Sequence, residues 1–416
     1  MRILKVQAAL LFLLFSTSLV GQDLDIRLAQ IIDIYQLEAL NCSAHQNNSE
    51  LLADVGKLIF ETTALSGGND SGCSTCHLDT KNLTDGLPIS VGVGGVGEGL
   101  DRMQSGRGVL VPRNSFSLFG RGHELYNSYF WDGKVEIQDD GILISPFGEE
   151  VSQRFDSLLS VAAILPLLAR DEFLGVMGGS NQPHNLNINE YHYQERYEAA
   201  SELYRQLIFE KSNPELAGIK DGLVTAGTTK SDFELADLGN AIAAFVIRDF
   251  SCPESAWNEY LIGDRSSLSA EQKSGAVVFF GKGRCAACHQ GPLFSDFDFH
   301  SIGIPQGGFG MGPLGQDLGR SEVSLRAEDR YKFKTPPLLL VSKTAPYGHN
   351  GMFPDLEDVV IHHINPVAIF KNYTWSDDFE YLNYGKILSS RDEVLSYIDI
   401  LNTDEVKDLV EFLRAL

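Results

Sequence analysis

Apolar residues along this chain recur mainly at helical spacing. In LADLGNAIAAFVI (Leu235–Ile247) and VKDLVEFLRAL (Val406–Leu416) they fall three and four positions apart, which gathers them on one face of an α-helix. Two shorter helical runs, GKLIF (Gly56–Phe60) and GAVVFF (Gly275–Phe280), occur one in each half of the chain. Ser231 with Glu234, Ser269 with Gln272, and Ser390 with Glu393 have capping-box spacing ahead of apolar-periodic runs, so helices are expected to begin there. One stretch departs from this period. KVEIQDDGILI (Lys134–Ile144) alternates about Asp140-Gly141, which predicts a β-hairpin. The glycine-rich stretches Gly86–Gly108 and Gly303–Gly319 read as long loops, expected to wrap something in an otherwise helical protein.

The chain has 416 residues, more than the ~250–300 at which a single core stops growing, so two domains are expected. The helix ending at Phe250 gives way to CPES, which puts the boundary between Cys252 and Arg265 and divides the chain into 22–264 and 265–416. Forty glycines and 15 prolines fit ordered loops rather than disorder, because 10% aromatic residues supply ample core material. A net charge of −23 argues against a nucleic-acid partner, since nothing would neutralise phosphates. The same charge could attract a basic protein. At the N-terminus, Arg2 and Lys5 precede an apolar stretch from Ala8 to Phe15 and a small-residue exit from Ser16 to Gly21. This is the layout of a secretory signal peptide, residues 1–21. No later run reaches the ~18 uninterrupted apolar residues of a membrane span. The expected location is periplasmic, with no membrane span.

Six cysteines stand at 42, 73, 76, 252, 285 and 288. Four of them form two copies of one motif, Cys73-Ser74-Thr75-Cys76-His77 and Cys285-Ala286-Ala287-Cys288-His289, each following one of the short helical runs. Paired thiols at this spacing reach the two vinyl groups of one haem, and the histidine that follows is placed to ligate its iron. A thioredoxin-type pair does not need the trailing histidine, and its thiols would tend to oxidise in an exported protein. Two four-ligand zinc sites would need more cysteines than remain. The reading is therefore two covalently bound haem c groups, with His77 and His289 as iron ligands. For Cys42 and Cys252 a structural disulfide is favoured in an oxidising compartment, two buried free thiols being the alternative. Gly92–Gly97 also satisfies G-x-G-x-x-G, but it follows a haem motif rather than a strand and reads as loop.

The two motifs, together with PRNS (Pro112–Ser115), FWDG (Phe130–Gly133), Pro166 with Glu172, FKTPPLLLVSKTAPYGHNG (Phe333–Gly351), LEDVV (Leu356–Val360) and the closing FLRAL, resemble the bacterial di-haem cytochrome c peroxidases and their MauG-type relatives. The resemblance covers nearly all of the mature chain. It implies a mainly α fold of two cytochrome c-like haem domains with long loops and a small β-hairpin insertion. The N-terminal domain would be peroxidatic and the C-terminal one would transfer electrons, with a calcium ion between them.

In many family members a histidine between the first motif and the PRN segment blocks the first haem. Leu78–Arg113 contains no histidine, and Met103 is its only soft ligand candidate. The resemblance thus implies an open first haem, as in the MauG branch. The family's catalytic Glu stands six residues after a Pro, matching Glu172 after Pro166, with Arg170 and Asp171 as neighbouring competitors. Peroxide cleavage requires a group that moves a proton from the near oxygen to the departing one, and desolvation suits a carboxylate to this by raising its pKa. The accompanying family Gln is replaced by Ala162. The sixth ligand of the second haem, seven residues after the Leu of the LEEVV-type segment, falls on His363, with His362 as rival and Met311 and Met352 as weaker alternatives. Trp131 matches the family's inter-haem tryptophan. Asn114, Thr344 and Pro346 match its calcium ligands, and His349 is expected to bond a haem propionate. The implied activity is reduction of hydrogen peroxide to water with electrons from a small protein, a cytochrome c or cupredoxin; a homodimer is compatible with it. A MauG-like oxidase of a protein partner and a non-enzymatic di-haem electron carrier are the rivals.

Overall fold

The computed structural model describes residues 20–41, 49–138, 141–175, 193–306, 316–370 and 378–416. The described chain is mostly helical, and its architecture is set by one helix crossing used twice. The helix Glu50–Glu61 opens on Ser49, whose hydroxyl accepts from the Leu52 amide, and turns Ala53, Val55, Ile59 and Phe60 inward. It crosses the helix Leu235–Phe250 at Gly56. A Cβ on Gly56 would lie 1.9 Å from the Ala241 carbonyl oxygen, so this close approach of two backbones needs a glycine. Next to it Phe60 packs on Phe245, ring centres 5.3 Å apart. In the second half, the helix Ala270–Phe280 crosses Thr403–Leu413 at Gly275, where a Cβ would lie 1.9 Å from the Asp408 carbonyl oxygen. Phe279 then meets Phe412, again at 5.3 Å. GKLIF and GAVVFF are thus the same structural part in both halves.

Two large hydrophobic cores follow. The first gathers Ile59, Phe60, Val161, Leu167, Tyr204, Leu238 and Phe245, among others; the second is built on Trp257, Phe279, Phe280, Phe294, Leu409 and Phe412. The second core draws on residues outside 265–416. Leu28, from the helix Val20–Tyr35, is fully buried in it, as are Trp257 and Tyr260 from Ala256–Leu261. Lys273 holds Asp25 at 2.9 Å, and the Tyr35 hydroxyl donates to the Phe280 carbonyl at 2.7 Å. The boundary read after Phe250 marks a change in local composition, whereas the core extends to wherever apolar faces complete the aromatic cluster. Residues 1–19, which hold most of the expected leader, lie outside the described residues. No described helix is long and apolar enough to cross a membrane.

The sheets are small and antiparallel. Ser90–Val91 pairs with Leu110–Val111, and Phe299–His300 pairs with Phe333–Lys334. The predicted hairpin forms from Val135–Ile137 and Leu143–Ile144, with Glu136 opposite Ile144; Asp139 and Asp140 lie outside the described residues. It gains a third strand, Ser128–Tyr129, which the alternation did not mark. Of the three capping boxes, Ser269 with Gln272 forms. The long helix of the first half is capped instead by Glu234, whose amide donates to Asp237 at 2.8 Å. Ser390 closes the preceding helix by donating to the Ile387 carbonyl, and Asp392 takes the cap position. The loop Gly86–Gly108 wraps its own Arg102, whose guanidinium donates to the Val91 and Gly92 carbonyls, both at 2.7 Å. The second loop is described only in part. Cys252 is disulfide-bonded; its expected partner, Cys42, lies outside the described residues.

Gly56→Ala and Gly275→Ala should each destabilise the fold by about 1–3 kcal/mol through overpacking against backbone, read as a lower denaturant midpoint. Gly385→Ala, where a Cβ meets nothing within 4 Å inside the helix Asp378–Ser389, should be neutral or stabilising by up to about 1 kcal/mol.

Candidate active site

Each Cys-x-x-Cys-His segment follows its crossing helix in a short turn. Cys73–Cys76 is a single helical turn, and the amide of His77 donates to the Cys73 carbonyl at 3.0 Å. The second segment makes the same closure, His289 to Cys285, at 2.9 Å. Both histidines then bond through Nδ1, His77 to the Leu83 carbonyl at 2.8 Å and His289 to the Phe294 carbonyl at 3.0 Å. A carbonyl can only accept, so Nδ1 carries the proton and Nε2 presents a lone pair. That is how a metal-ligating imidazole is oriented by its outer partner. Burial pushes both imidazoles down to about 4, so both are neutral. All four motif cysteines are free thiols, and burial raises Cys73, Cys76 and Cys285 to about 12. Free paired thiols and a neutral histidine with Nε2 available fit haem c in both halves.

Around the first segment, Pro166 opens the turn Pro166–Leu168, and the wider turn Arg170–Leu174 follows at once. The turn is locked from outside. The Val93 amide donates to the Asp171 carbonyl and the Gly67 amide to the Phe173 carbonyl, both at 2.9 Å. Gly92 of the loop passes so close that a Cβ would lie 1.8 Å from the Asp171 carbonyl oxygen. Glu172 is thereby held where its charge reaches both Cys73 and Cys76. Burial raises its carboxyl to about 7, with Lys134 pulling it down and Asp171 pushing it up. Ala162, at the position of the family Gln, is buried in the first core. Met103 sits half-buried on the short helix Gly99–Gln104.

A cavity between the halves is lined by Cys285, Cys288, His289 and His363 from the second half and by Asn114 and Trp131 from the first. Thr344, Pro346 and His349 face it too. His363 bonds the Val359 carbonyl through Nδ1 at 2.7 Å, and its charge is felt by His289. His362 points elsewhere: it is fully buried, with Nε2 3.0 Å from the Ile302 carbonyl oxygen. Adjacent helical positions diverge by ~100°, which accounts for the split. Met352 packs on the small cluster around Phe353, and Met311 lies outside the described residues. The Trp131 indole donates to the Asn114 carbonyl at 3.0 Å, the Asn114 amide donates to the His349 carbonyl at 2.7 Å, and the Lys334 amide donates to the Trp131 carbonyl at 2.9 Å. Asn114 donates its side-chain NH2 to the Leu87 carbonyl at 2.7 Å, which leaves Oδ1 as a free acceptor among the described residues. His349 stacks on Phe333 at 3.6 Å, and both of its ring nitrogens are buried without a hydrogen bond.

Sequence reasoning missed the charges that hold this junction. Arg113 binds Asp317 through two nitrogens, at 2.7 and 2.8 Å, and Asp132 at 2.6 Å. Arg320 reaches back from the second half to Glu136 at 2.5 Å and to the Asp132 and Gly133 carbonyls at 3.1 Å. Segment FWDG, with Trp131, is thus gripped by one arginine from each half. Nothing in the hydrophobic pattern marks such pairs, and those that cross between the halves lie 184 to 204 positions apart.

Two motif-bearing halves with paired histidines make this a c-type di-haem protein by architecture. A family model described as di-haem cytochrome c peroxidase matches residues 50–266, and the chain belongs to that family, which implies two haem c groups and a peroxidase. It is 26% identical over 346 residues to a cytochrome-c peroxidase of Denitromonas iodatirespirans, covering 78% of this chain and 76% of the relative. It is 28% identical to the methylamine utilisation protein MauG of Methylorubrum extorquens (74% and 67% covered) and 28% identical to the cytochrome c551 peroxidase of Pseudomonas aeruginosa (75% and 71%). Among solved structures, a MauG-like protein associated with microbial copper homeostasis superposes with a TM-score of 0.56 at 21% identity, covering 91% of this chain and 92% of that one. The diheme peroxidase BthA of Burkholderia thailandensis gives 0.55 at 18%, covering 89% and 86%. Both show the shared fold.

Because the folded pKa of Glu172 lies above its ordinary value, the folded state binds the extra proton between about pH 4.5 and 7. This group's contribution to stability therefore falls as pH rises through that window and stays lost above it. Glu172→Gln, which cannot ionise, should gain stability relative to the parent at pH 8 but not at pH 4, as read from denaturation midpoints at the two pH values.

Proposed function

We propose that this protein is exported to the periplasm and there reduces hydrogen peroxide to water, H2O2 + 2 H⁺ + 2 e⁻ giving 2 H2O, with electrons from a small cytochrome c or cupredoxin. The observation that carries the reading is Glu172, a half-buried carboxyl that desolvation raises to about 7 and whose charge reaches the first cysteine pair. When bound, the haems supply an iron that receives peroxide in the first half and an iron that carries electrons in the second. His77 and His289 would hold them through Nε2. Glu172, poised near neutrality, would take a proton from the near peroxide oxygen and return it to the leaving one. With Ala162 in place of an amide, the carboxyl does this without a Gln partner.

His363 lines the same cavity as His289, and it would be the second protein group to hold the iron of that haem. Bis-imidazole ligation should give that haem a lower potential than a Met ligand would. Trp131, gripped between the halves, would relay electrons. The Asn114 side-chain oxygen and the Thr344 and Pro346 carbonyls would bind calcium, a set of hard oxygen donors that suits the ion. His349, with two buried and unbonded ring nitrogens, would bond a haem propionate. A protein-modifying oxidase would share the open first site, and a simple carrier would lack it.

Electron paramagnetic resonance of the oxidised protein should show one high-spin and one low-spin ferric signal. His363→Ala should convert the low-spin signal to high-spin, and His362→Ala should leave it unchanged; two low-spin signals in the parent would leave only the carrier. In turnover assays with a reduced one-electron donor, Glu172→Gln should lower peroxide consumption by ~10²–10⁴-fold and abolish a pH limb near 7. A covalently altered protein partner with poor donor turnover would favour the oxidase.

A further inference from the structure

The cavity between the halves contains two buried cations that the functional reading does not use. Arg121 is 6% exposed and Lys334 is 4% exposed, and both line the cavity wall. They share one aromatic ring: the Arg121 guanidinium lies 5.2 Å and the Lys334 ammonium 4.8 Å from the centre of Tyr126. Arg121 also stacks on Phe116 at 3.6 Å and donates Nε to the Ser117 carbonyl at 2.6 Å. Lys334 donates to the Ser128 carbonyl at 2.6 Å and to the Tyr126 hydroxyl at 3.4 Å.

Among the described residues, neither cation forms an ion pair. The carboxylates whose charge reaches Lys334 are committed elsewhere, Asp132 to Arg113 and Glu136 to Arg320. Arg121 keeps Nη1 buried with no hydrogen-bond partner, and a guanidinium cannot escape the cost by losing its proton. Stacking on aromatic faces offsets part of that cost. A second cation close by adds to it, since burial and the charge of Arg121 both push the Lys334 ammonium well below its ordinary range. A desolvated guanidinium with an orphaned donor, beside an amine that a neighbouring negative charge would hold protonated, both opening on a cavity, describe the receptor for an anion.

We propose that Arg121 and Lys334 form a carboxylate-binding site whose ligand is a propionate side chain of a bound haem. The proposal rests on the two-haem reading. A guanidinium N–H and an ammonium would meet the carboxylate oxygens directly and balance its charge inside the protein. The pair would then act as positioning residues that set the potential of that haem, because a nearby uncompensated carboxylate favours the ferric state.

The test is potentiometric titration of the holoprotein, parent and variants, with haem content counted by pyridine haemochrome. Arg121→Leu and Lys334→Met should each shift one haem midpoint to lower potential and leave the other in place. Arg121→Lys, which keeps the charge, should return most of the shift. Added acetate should leave the parent unchanged. A two-haem protein whose potentials do not move in either variant would overturn the site. A saturable shift with acetate in the parent, lost in Arg121→Leu, would overturn the propionate in favour of a free carboxylate. A chain carrying fewer than two haems would sink the two-haem reading itself, and the assignment with it.

Discussion

The arrangement depends on a helix crossing tight enough to exclude every side chain but hydrogen. At Gly56 and Gly275 one helix lies against a carbonyl of another, and the pair Phe60–Phe245 or Phe279–Phe412 fills the space beside it. The crossing fixes the direction in which the chain leaves the first helix. Each leaves into a Cys-x-x-Cys-His turn whose histidine is oriented by a backbone carbonyl five or six residues on. Two irons would therefore be held by the same geometry, although the segments around them differ.

The chemistry comes from what differs. In the first half, a proline-opened turn pinned by the loop at Gly92 and Val93 holds a carboxyl that desolvation raises to about 7. In the second half, a helix brings His363 to the cavity that His289 lines. The junction is tied together by charges exchanged across it, Arg113 reaching forward and Arg320 reaching back, with FWDG held between. Trp131 lies in a segment that both halves grip.

Much of this was legible in the sequence. The duplication, the two motifs and the hairpin are local: spacing of a few residues and alternation of period two or 3.6 are consequences of backbone geometry alone. Glu172 and His363 were reached through resemblance to a family, because neither a single carboxylate in the run Arg170-Asp171-Glu172 nor one of two adjacent histidines carries a local sign of what it will face. The capping boxes show the limit of local rules. Ser269 behaves as its spacing predicts, whereas Ser231 and Ser390 lose their positions to Glu234 and Asp392, whose partners Tyr197 and His300 come from distant segments.

The sequence by itself determined that two thiol–histidine units would form, each behind a glycine-bearing helix, since those features need only neighbours in the chain. Only the tertiary structure decided that residues 20–35 complete the second core, that His363 rather than His362 faces the cavity, and that Arg121 and Lys334 lie buried with no carboxylate paired to them among the described residues. Desolvation and ion pairing depend on what lies within a few ångströms in space, and the groups that supply them here are often more than a hundred residues away in the chain.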